Sequence, residues 1–427
     1  MLNRSLAPDF IQVNEINFIA PALKNLPNGI PVYTFNVGKQ ELVRVEFIFN
    51  NVNWNVNKPL QAVTVNSLIN NGTAKLSAKE IAERVDYYGA FLQTEYGADQ
   101  ITITLYSLNK HLASVLPIVK AILNESNFPQ QELDIFIQNQ KQKLKVNLQK
   151  NDFLARKTFA NTIFGDTAYG SDITTENYDA LKRDDLLAYY AAAFKAENCT
   201  IIAAGKFEDK EFSLLNEFFG GEWINNEPSV INKFTYQNNT GAVIPIDKPE
   251  AVQTAIRMGK IVINRTHKDF PAFQVLNTLL GGYFGSRLMM NIREDKGYTY
   301  GIGSGIASLK DAGYFFIATE VGSDVSNVAL KEIFKEIDLL KQEQVGAQEL
   351  DLVRNYMLGS MLGSLENIFS HADKFKNLYF SGLDYNYYTN YIATVKSISA
   401  EKIQQMAQEY LNTYEFVQVV VGKLHYS

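Results

Sequence analysis

The sequence is poor in the residues from which disulfides and metal sites are built, with one cysteine and four histidines in 427 residues. The single cysteine, Cys199, excludes an intramolecular disulfide and a cysteine-rich metal site. It opens the apolar run 199–202, so we expect a buried structural thiol rather than a reactive one. The scarcity of cysteine therefore leaves histidine and the carboxylates as the ligands to consider for any metal.

The four histidines do not form the beginning of a metal site. The histidines are His111, His267, His371 and His425. None of them has another histidine or a glutamate three or four positions later in the chain. A catalytic zinc needs three protein ligands, and this sequence offers no local pair from which to start. We therefore predict that the chain binds no metal itself, with a ligand set assembled from distant histidines as the alternative.

Long apolar runs are also missing. None reaches the roughly 18 residues that a membrane helix requires, so no membrane span is predicted. Residues 1–5 lack the apolar centre of a signal peptide, which predicts a cytoplasmic chain, or an exported one if a signal was removed. The net charge of −6 argues against a nucleic-acid-binding protein, which would need a basic face.

The chain repeats itself across its two halves. Residues 37–43 align with 246–252, an offset of 209, and residues 181–206 align without a gap with 398–423, an offset of 217. Two ends with similar offsets indicate a tandem duplication. The predicted organisation is an N-terminal domain over 1–222, a polar, aperiodic linker over 223–240 and a C-terminal domain over 241–427.

Each copy predicts strands mixed with helices, without regular alternation of the two. In the first copy, the pattern Ser77 to Glu80 is a capping box that opens a helix, and the alternation over 100–107 is typical of a half-buried strand. This pattern favours an α+β fold, in which each copy is a sandwich-like domain with a largely antiparallel sheet and helices on one face.

The stretch 284–300 is predicted to form a helix followed, after a sharp reversal of the chain, by a strand. The helix is predicted from Ser286 to Gly297, where a basic last turn precedes a glycine free to adopt positive φ. Arg293 lies before this reversal and Tyr300 after it. The polar ends of Arg293 and Tyr300 are therefore expected to converge on one spot.

This stretch resembles the second domain of the pitrilysin/insulinase family of zinc metallopeptidases, in the two-domain form related to the processing-peptidase subunits. The resemblance implies that Arg293 and Tyr300 hold the peptide substrate over a zinc ion. It also implies a first domain that carries H-x-x-E-H on a helix, in which two histidines bind zinc and the glutamate is the general base.

The sequence departs from that family at every zinc-binding position. Counting back from the Gly-Thr pair at 72–73 places Val63 and Ser67 at the two histidines and Asn66 at the general base. The third ligand, a glutamate in the family, falls at Lys143, where a cation would repel a divalent metal. The resemblance therefore implies a non-catalytic member that is inactive alone.

Two patterns of small residues favour a structural role over a chemical one. The Gly301, Gly303 and Gly305 series opens no helix, so it fails the dinucleotide-binding fingerprint and favours close approach of an extended backbone. Gly359 and Gly363 stand one helical turn apart beside Ser360 and Ser364. For these small residues we expect close helix packing rather than a catalytic serine.

The resemblance therefore predicts the non-catalytic subunit of a heteromeric zinc metalloendopeptidase. The expected partner is a homologous H-x-x-E-H subunit that holds the zinc, and the expected substrate is a peptide or unfolded polypeptide. The alternative is a peptide-binding or scaffold protein without a catalytic partner, for example a homodimer. A third interpretation, an active zinc enzyme with an unrecognised site, predicts bound metal in the purified chain.

Overall fold

The computed structural model describes residues 13, 15–236 and 240–424, in which the chain forms two sheets. The strands of the first sheet are β1 (Ala22–Asn25), β2 (Pro31–Asn36), β3 (Leu42–Asn50), β4 (Phe91–Tyr96), β5 (Gln100–Leu108) and β6 (Cys199–Gly205). Their order across the sheet is β1-β2-β6-β3-β5-β4. Strands β2 and β6 run parallel, and the other neighbouring pairs are antiparallel.

The second sheet repeats this plan in the second half of the chain. Its strands are β7 (Val243–Asp247), β8 (Gln253–Val262), β9 (Thr299–Ser308), β10 (Gly313–Gly322) and β11 (Val417–Gly422). They are ordered β7-β11-β8-β10-β9, with β7 parallel to β11 and the other pairs antiparallel. The predicted α+β fold, a duplicated domain with a largely antiparallel sheet, is thereby confirmed.

Helices surround the two sheets. They are α1 (Gln61–Leu68), α2 (Ala78–Tyr87), α3 (Leu112–Glu125), α4 (Gln130–Asn147), α5 (Asn151–Phe164), α6 (Thr175–Asp179), α7 (Arg183–Ala193), α8 (Asp209–Phe219), α9 (Phe270–Asn277), α10 (Ser326–Gln342), α11 (Ala347–Gly363), α12 (Ile368–Tyr379), α13 (Asn386–Ser397) and α14 (Ala400–Tyr410). Two segments of wider π-helix follow α9, at Thr278–Gly282 and Met289–Asp295. None of the helices in the described ranges is both long and apolar enough to cross a membrane.

Two local predictions are confirmed. The Ser77 hydroxyl accepts a hydrogen bond from the Glu80 backbone amide, and the Glu80 carboxylate accepts one from the Ser77 amide, which completes the capping box at the start of α2. Cys199 is 3% exposed, and burial raises the pKa of its thiol. Cys199 is therefore a structural residue of β6.

The strand registers correct the repeat offset at the start of each copy. Val45 pairs with Ala203 in the first sheet, and Ile256 pairs with Val420 in the second. Since Ala203 and Val420 are equivalent at the offset of 217, Val45 corresponds to Ile256, an offset of 211 (256 − 45) rather than the predicted 209. A shift of two residues keeps every side chain on the same face of its strand, so alternation in the sequence does not reveal it.

The two halves exchange one helix each. Helix α5, from the first half, packs on β8 and β11 through buried residues that include Phe159 and Ile163. Helix α12, from the second half, packs on the face of β6 that carries Ile202 and Ala204, and Ala372 is fully buried there. The two helices begin at positions 151 and 368, which are 217 residues apart and therefore equivalent in the repeat. Each sheet thus has its own helices on one face and a helix of the other half on the opposite face.

A cluster of four charged side chains ties α12 to the first sheet. Arg44 Nη2 lies 3.1 Å from Glu46 Oε2 and 2.8 Å from Asp373 Oδ1, and Lys376 Nζ lies 2.6 Å from Glu46 Oε1. The side chains of Arg44 and Glu46 are 6% and 3% exposed. Burial alone would lower the pKa of Arg44, but the charges of Glu46 and Asp373 outweigh burial and raise it. The cluster is therefore a buried ionic contact between the halves.

A second ion pair predicts a pH-dependent contribution to stability. Lys260 Nζ on β8 lies 2.5 Å from Glu415 Oε2, in the turn before β11, and the hydrogen bond from Lys260 lowers the pKa of Glu415 below its ordinary value of 4.5. A depressed pKa gives stability that is present above the unfolded-state pKa and is lost as the pH falls through the folded-state pKa. We expect Glu415→Gln to lower the free energy of unfolding at neutral pH, with a difference from wild type that shrinks in acid.

Urea unfolding of both proteins between neutral pH and pH ~3 checks this expectation, because the difference tracks protonation of one carboxylate. The matched control is Glu222→Gln, which changes an exposed glutamate with no ion pair among the described residues. If Glu415→Gln lowers the free energy of unfolding by the same amount at every pH, the ion pair is not the cause of the loss.

Candidate functional site

The segment that follows α9 builds the candidate site. After Ser286 the chain turns into a helix that widens into a π-helix over Met289–Asp295, where Lys296 N–H donates to the Asn291 carbonyl, five residues earlier, at 3.1 Å. The helix ends at Gly297, which has φ +65°, and the chain enters β9 two residues later. The predicted stop at Gly297 is confirmed. Single π-helical turns inside helices frequently mark functional sites.

Arg293 and Tyr300 meet across this reversal. The Arg293 guanidinium carbon lies 5.4 Å from the centre of the Tyr300 ring and 4.8 Å from that of Phe284, so the cation contacts two aromatic rings. Tyr300 is 90% exposed and Phe284 is 61% exposed. The predicted convergence of Arg293 and Tyr300 is therefore present, and Phe284 is a third member of the cluster that the sequence did not single out. We call Phe284, Arg293 and Tyr300 the Arg/Tyr cluster.

The Arg/Tyr cluster lies at the end of an edge strand. Tyr300 is the second residue of β9, and β9 is the last strand of its sheet, paired with β10 along one side. Within the described residues, no strand covers its other side. The Ile302 amide of β9 already donates to Met289 Sδ at 3.5 Å. An extended chain could therefore pair only with the backbone groups of that side that remain free.

Two polar contacts anchor the helix that carries Arg293. Arg287 forms a two-pronged ion pair with Glu349 of α11, with N···O distances of 2.8 and 2.9 Å, and Asn291 donates to Glu332 and Glu336 of α10 at 3.0 and 2.6 Å. The hydrogen bonds from Arg287 to Glu349 raise the pKa of Arg287. Paired geometry of this kind is more directional than a single contact. Arg287 and Asn291 therefore position the helix before the reversal.

The zinc-motif positions do not offer ligands. Val63, Asn66 and Ser67 lie on α1, where Asn66 is buried with an unpaired Oδ1 and the Ser67 hydroxyl donates to the Val63 carbonyl at 2.8 Å. Lys143 is exposed on α4. An apolar side chain, an amide, a hydroxyl already used and a cation do not fit a zinc ion. No step of catalysis is therefore assigned to a metal on these residues.

The histidines have separate local surroundings. The His111 ring lies 5.3 Å from that of Tyr88, His267 Nδ1 accepts from the Asp269 amide at 3.2 Å, and buried His371 Nδ1 accepts from the Ile19 amide at 3.2 Å. Burial lowers the pKa of His371. His425 lies outside the described residues. Across the described ranges, no group of three or more His, Cys, Asp or Glu side chains could hold a metal ion, and the absence of bound metal stays a prediction.

Of the two glycine patterns, one is confirmed in part and one is corrected. A side chain at Gly305 would meet the Phe316 ring at 2.7 Å, which is the close approach expected in β9. Gly359 and Gly363 face open space, with no atom within 4 Å of an added Cβ. The expected close helix packing at Gly359 and Gly363 is therefore wrong, because the face of α11 that carries them is exposed.

Comparison with known proteins relates the chain to one family. A family model described as the Peptidase M16 inactive domain matches residues 180–357, a range that includes the Arg/Tyr cluster. A relative named non-peptidase homolog YmxG, from Helicobacter pylori, is 24% identical over 376 residues, which cover 83% of this chain and 82% of the relative. The mitochondrial-processing peptidase subunit beta of Bos taurus is 24% identical over 217 residues, which cover 50% of this chain and 44% of that subunit.

A solved structure shares the fold. The crystal structure of a peptidase M16 inactive domain from Pseudomonas fluorescens superposes with a TM-score of 0.85 at 20% identity, covering 95% of this chain and 99% of that one. At that identity the likeness establishes the fold alone. Together with the family match, these findings confirm the resemblance predicted from the sequence. The chain is therefore similar to peptidase M16 inactive-domain proteins, and its own zinc-motif positions hold no zinc ligands.

Proposed function

We propose that the chain is the non-catalytic subunit of a heteromeric zinc metalloendopeptidase. The observation that carries the proposal is the Arg/Tyr cluster, exposed at the end of an edge strand in a chain whose zinc-motif positions have lost every ligand. In this proposal the partner subunit carries H-x-x-E-H and supplies the zinc, and this chain supplies Arg293 and Tyr300. The relation to a processing-peptidase subunit supports a partner of this kind.

Each residue of the pair has a role that follows from its chemistry. The guanidinium of Arg293 presents paired N–H donors, which suit a carbonyl or carboxylate oxygen of the substrate. The Tyr300 hydroxyl is a hydrogen-bond donor, and in the assembled complex it donates to the oxyanion that develops when the scissile carbonyl is attacked. Contact with the Phe284 and Tyr300 rings limits the motion of the Arg293 side chain, which lowers the entropy lost on binding.

The position of the cluster supports an extended substrate. A peptide that adds to the end of β9 at Tyr300, on the side that no strand covers within the described residues, would pair through its backbone. Backbone pairing selects for an extended conformation rather than for a sequence, which suits an unfolded polypeptide or a flexible peptide.

The same edge strand favours a second candidate function, that of a peptide-binding or scaffold protein with no catalytic partner. In that case Arg293 and Tyr300 retain an extended peptide and carry out no chemistry. The relative named a non-peptidase homolog is compatible with this alternative.

Assembly tests the proposed partner. Light scattering after size-exclusion chromatography is measured for this chain, for an H-x-x-E-H chain from the same organism and for their mixture. The proposal expects a heteromer in the mixture. Two unchanged species, or a homodimer of this chain that excludes the other, would favour the scaffold alternative.

Substitution of Arg293 by lysine separates its binding role from catalysis. Lysine keeps the charge but loses the paired donors and the planar stacking, so we expect Arg293→Lys to raise KM of the assembled enzyme about tenfold with a smaller change in kcat. Steady-state kinetics on one peptide measures both constants. The matched control is Arg84→Lys, which changes an exposed arginine of α2. An unchanged KM would exclude Arg293 from substrate binding.

A further inference from the structure

Tyr300 lies in a β-bulge of the edge strand β9. The pairing of β9 with β10 shifts register between Thr319 and Val321, so that Tyr300 and Gly301 together lie opposite Glu320. An extra residue of this kind bends the strand and changes the direction of the side chains that it carries, and bulges are common beside active sites. The bulge is therefore part of the geometry that presents the Tyr300 ring.

The hydroxyl of Thr299 holds this bulge together. It donates to the Glu320 carbonyl at 2.6 Å, across the strand pair, and it accepts from the Gly301 amide at 3.0 Å. The second contact spans Tyr300, because Thr299 and Gly301 are the residues on either side of it. A threonine hydroxyl that accepts from the amide two residues later forms a local turn. One side chain thus fixes the backbone on both sides of Tyr300.

A second threonine hydroxyl completes the network. Thr319 of β10 is 7% exposed, and its hydroxyl lies 3.0 Å from Thr299 Oγ1 and 3.0 Å from the Gly301 carbonyl. The Gly301 carbonyl is also 3.0 Å from the Thr299 hydroxyl. Each hydroxyl has one proton, so Thr299 donates to Glu320, its shortest contact, and Thr319 donates to the Gly301 carbonyl. Both backbone groups of Gly301 then have a threonine hydroxyl as their partner.

The first half of the chain shows the same reversal without the bulge. Its edge strand β4 also follows a glycine of positive φ, Gly89 at +59°, and begins with an exposed aromatic residue, Phe91. Strand β4 pairs with β5 from Phe91 to Tyr96 with no shift of register. The residue before Phe91 is Ala90, which has no hydroxyl. The reversal after a glycine is therefore not sufficient to produce the bulge, which supports a role for the Thr299 hydroxyl.

We propose that Thr299 positions Tyr300 for peptide hydrolysis by the assembled enzyme, an inference that rests on the proposed function. The Thr299 hydroxyl maintains the bulge, and the bulge directs the Tyr300 ring to its place 5.4 Å from the Arg293 guanidinium carbon. A donor to a developing oxyanion has to be held within about 0.5 Å of its productive position, and a displacement of about 1 Å can lower the rate about 100-fold. Thr299 is thus a positioning residue that acts through Tyr300.

The place of the Tyr300 ring is tested on this chain alone. Fluorotyrosine is introduced at position 300 and its fluorine resonance is recorded, with Arg293→Ala as the reference for a ring that has lost the guanidinium contact. Thr299→Val keeps the β-branched shape and removes the hydroxyl, so we expect the resonance to shift toward the Arg293→Ala value. Thr299→Ser keeps the hydroxyl and should retain the wild-type resonance. A wild-type resonance in Thr299→Val overturns the proposal, whether or not a peptidase assembles.

The matched control is Thr34→Val. Thr34 of β2 is 9% exposed, and its hydroxyl also donates to a backbone carbonyl, that of Ala22, at 3.3 Å. This variant should leave the fluorine resonance unchanged. If Thr299→Val does not fold, Thr319→Val takes its place, because it removes the other hydroxyl that holds Gly301 and should shift the resonance in the same direction. An unchanged resonance in Thr319→Val then overturns the proposal.

Kinetics of the assembled enzyme tests the consequence for the reaction. We expect Thr299→Val to lower kcat about tenfold or more and to change KM less than about twofold, because the oxyanion forms only in the transition state. Thr299→Ser should restore kcat. In a Tyr300→Phe background, Thr299→Val should cause no further loss, because it acts through the Tyr300 hydroxyl.

The outcomes separate this inference from the proposed function. An unchanged kcat in Thr299→Val, or a full further loss in the double variant, overturns the positioning role. A shifted resonance in a chain that gives no active mixture supports the placement of Tyr300 by Thr299 and counts against the proposed function.

Discussion

Replacement of Tyr300 by phenylalanine is expected to lower kcat of the assembled peptidase about 100- to 1,000-fold, the usual effect of removing one oxyanion donor. The substitution deletes a hydroxyl and keeps the ring, so the stacking contact with Arg293 at 5.4 Å is retained. Because Tyr300 is 90% exposed, its hydroxyl does not contribute to the core, and assembly and unfolding stability should not change. Steady-state hydrolysis of one peptide measures kcat, and light scattering on the same sample measures assembly.

The control for this experiment is Tyr414→Phe. Tyr414 is 89% exposed, which matches Tyr300, but it lies in the turn before β11 rather than in the Arg/Tyr cluster. The account expects full turnover from Tyr414→Phe. Intact assembly with unchanged kcat in Tyr300→Phe would remove Tyr300 from the mechanism and leave it as a peptide-retaining residue.

Replacement of Glu46 by alanine is expected to lower the free energy of unfolding by about 3–5 kcal/mol, since it breaks a buried ion pair and leaves Arg44 and Lys376 with Asp373 as their one remaining counterion in the cluster. Glu46 is 3% exposed and pairs with Arg44 at 3.1 Å and with Lys376 at 2.6 Å. Lys376 belongs to α12, the helix that the second half contributes to the first sheet. The loss should therefore also lower the hydrogen-exchange protection of α12.

A surface ion pair provides the comparison. Lys79 and Glu83 lie 3.6 Å apart on α2 with side chains 82% and 63% exposed, so Glu83→Ala should cost no more than about 0.5 kcal/mol. Denaturant unfolding of wild type and both variants measures the two differences. An equal loss of unfolding free energy in Glu46→Ala and Glu83→Ala would show that the charged cluster does not stabilise the contact between the halves.

The parts of the site that depend on residues close together in the sequence could be predicted from local patterns. The basic turn before Gly297 and the apolar spacing of the preceding helix were sufficient to predict that Arg293 and Tyr300 come together, because they are only seven positions apart and the glycine adopts φ +65°. The capping box at Ser77 is local in the same way. Phe284 was missed because the guanidinium contact that gives it a role forms only after the chain folds back.

Features that depend on distant parts of the chain were not predictable from one sequence. The exchange of α5 and α12 places each helix on a sheet built by the other half, and amphipathic spacing does not state which sheet a helix covers. The two-residue error in the repeat offset left alternation intact. At Gly359, small size suggested close packing, but only the fold shows that this face of α11 is open.

The most direct test of the central claim is peptidase activity on a mixed peptide library. It is measured for this chain alone and for its mixture with an H-x-x-E-H chain from the same organism, and zinc is quantified in the same samples. The account predicts chelator-sensitive activity and stoichiometric zinc in the mixture, and neither in this chain alone. Chelator-sensitive activity from this chain alone would contradict it and point to an unrecognised zinc site, while a silent mixture that still binds peptide would establish the scaffold alternative.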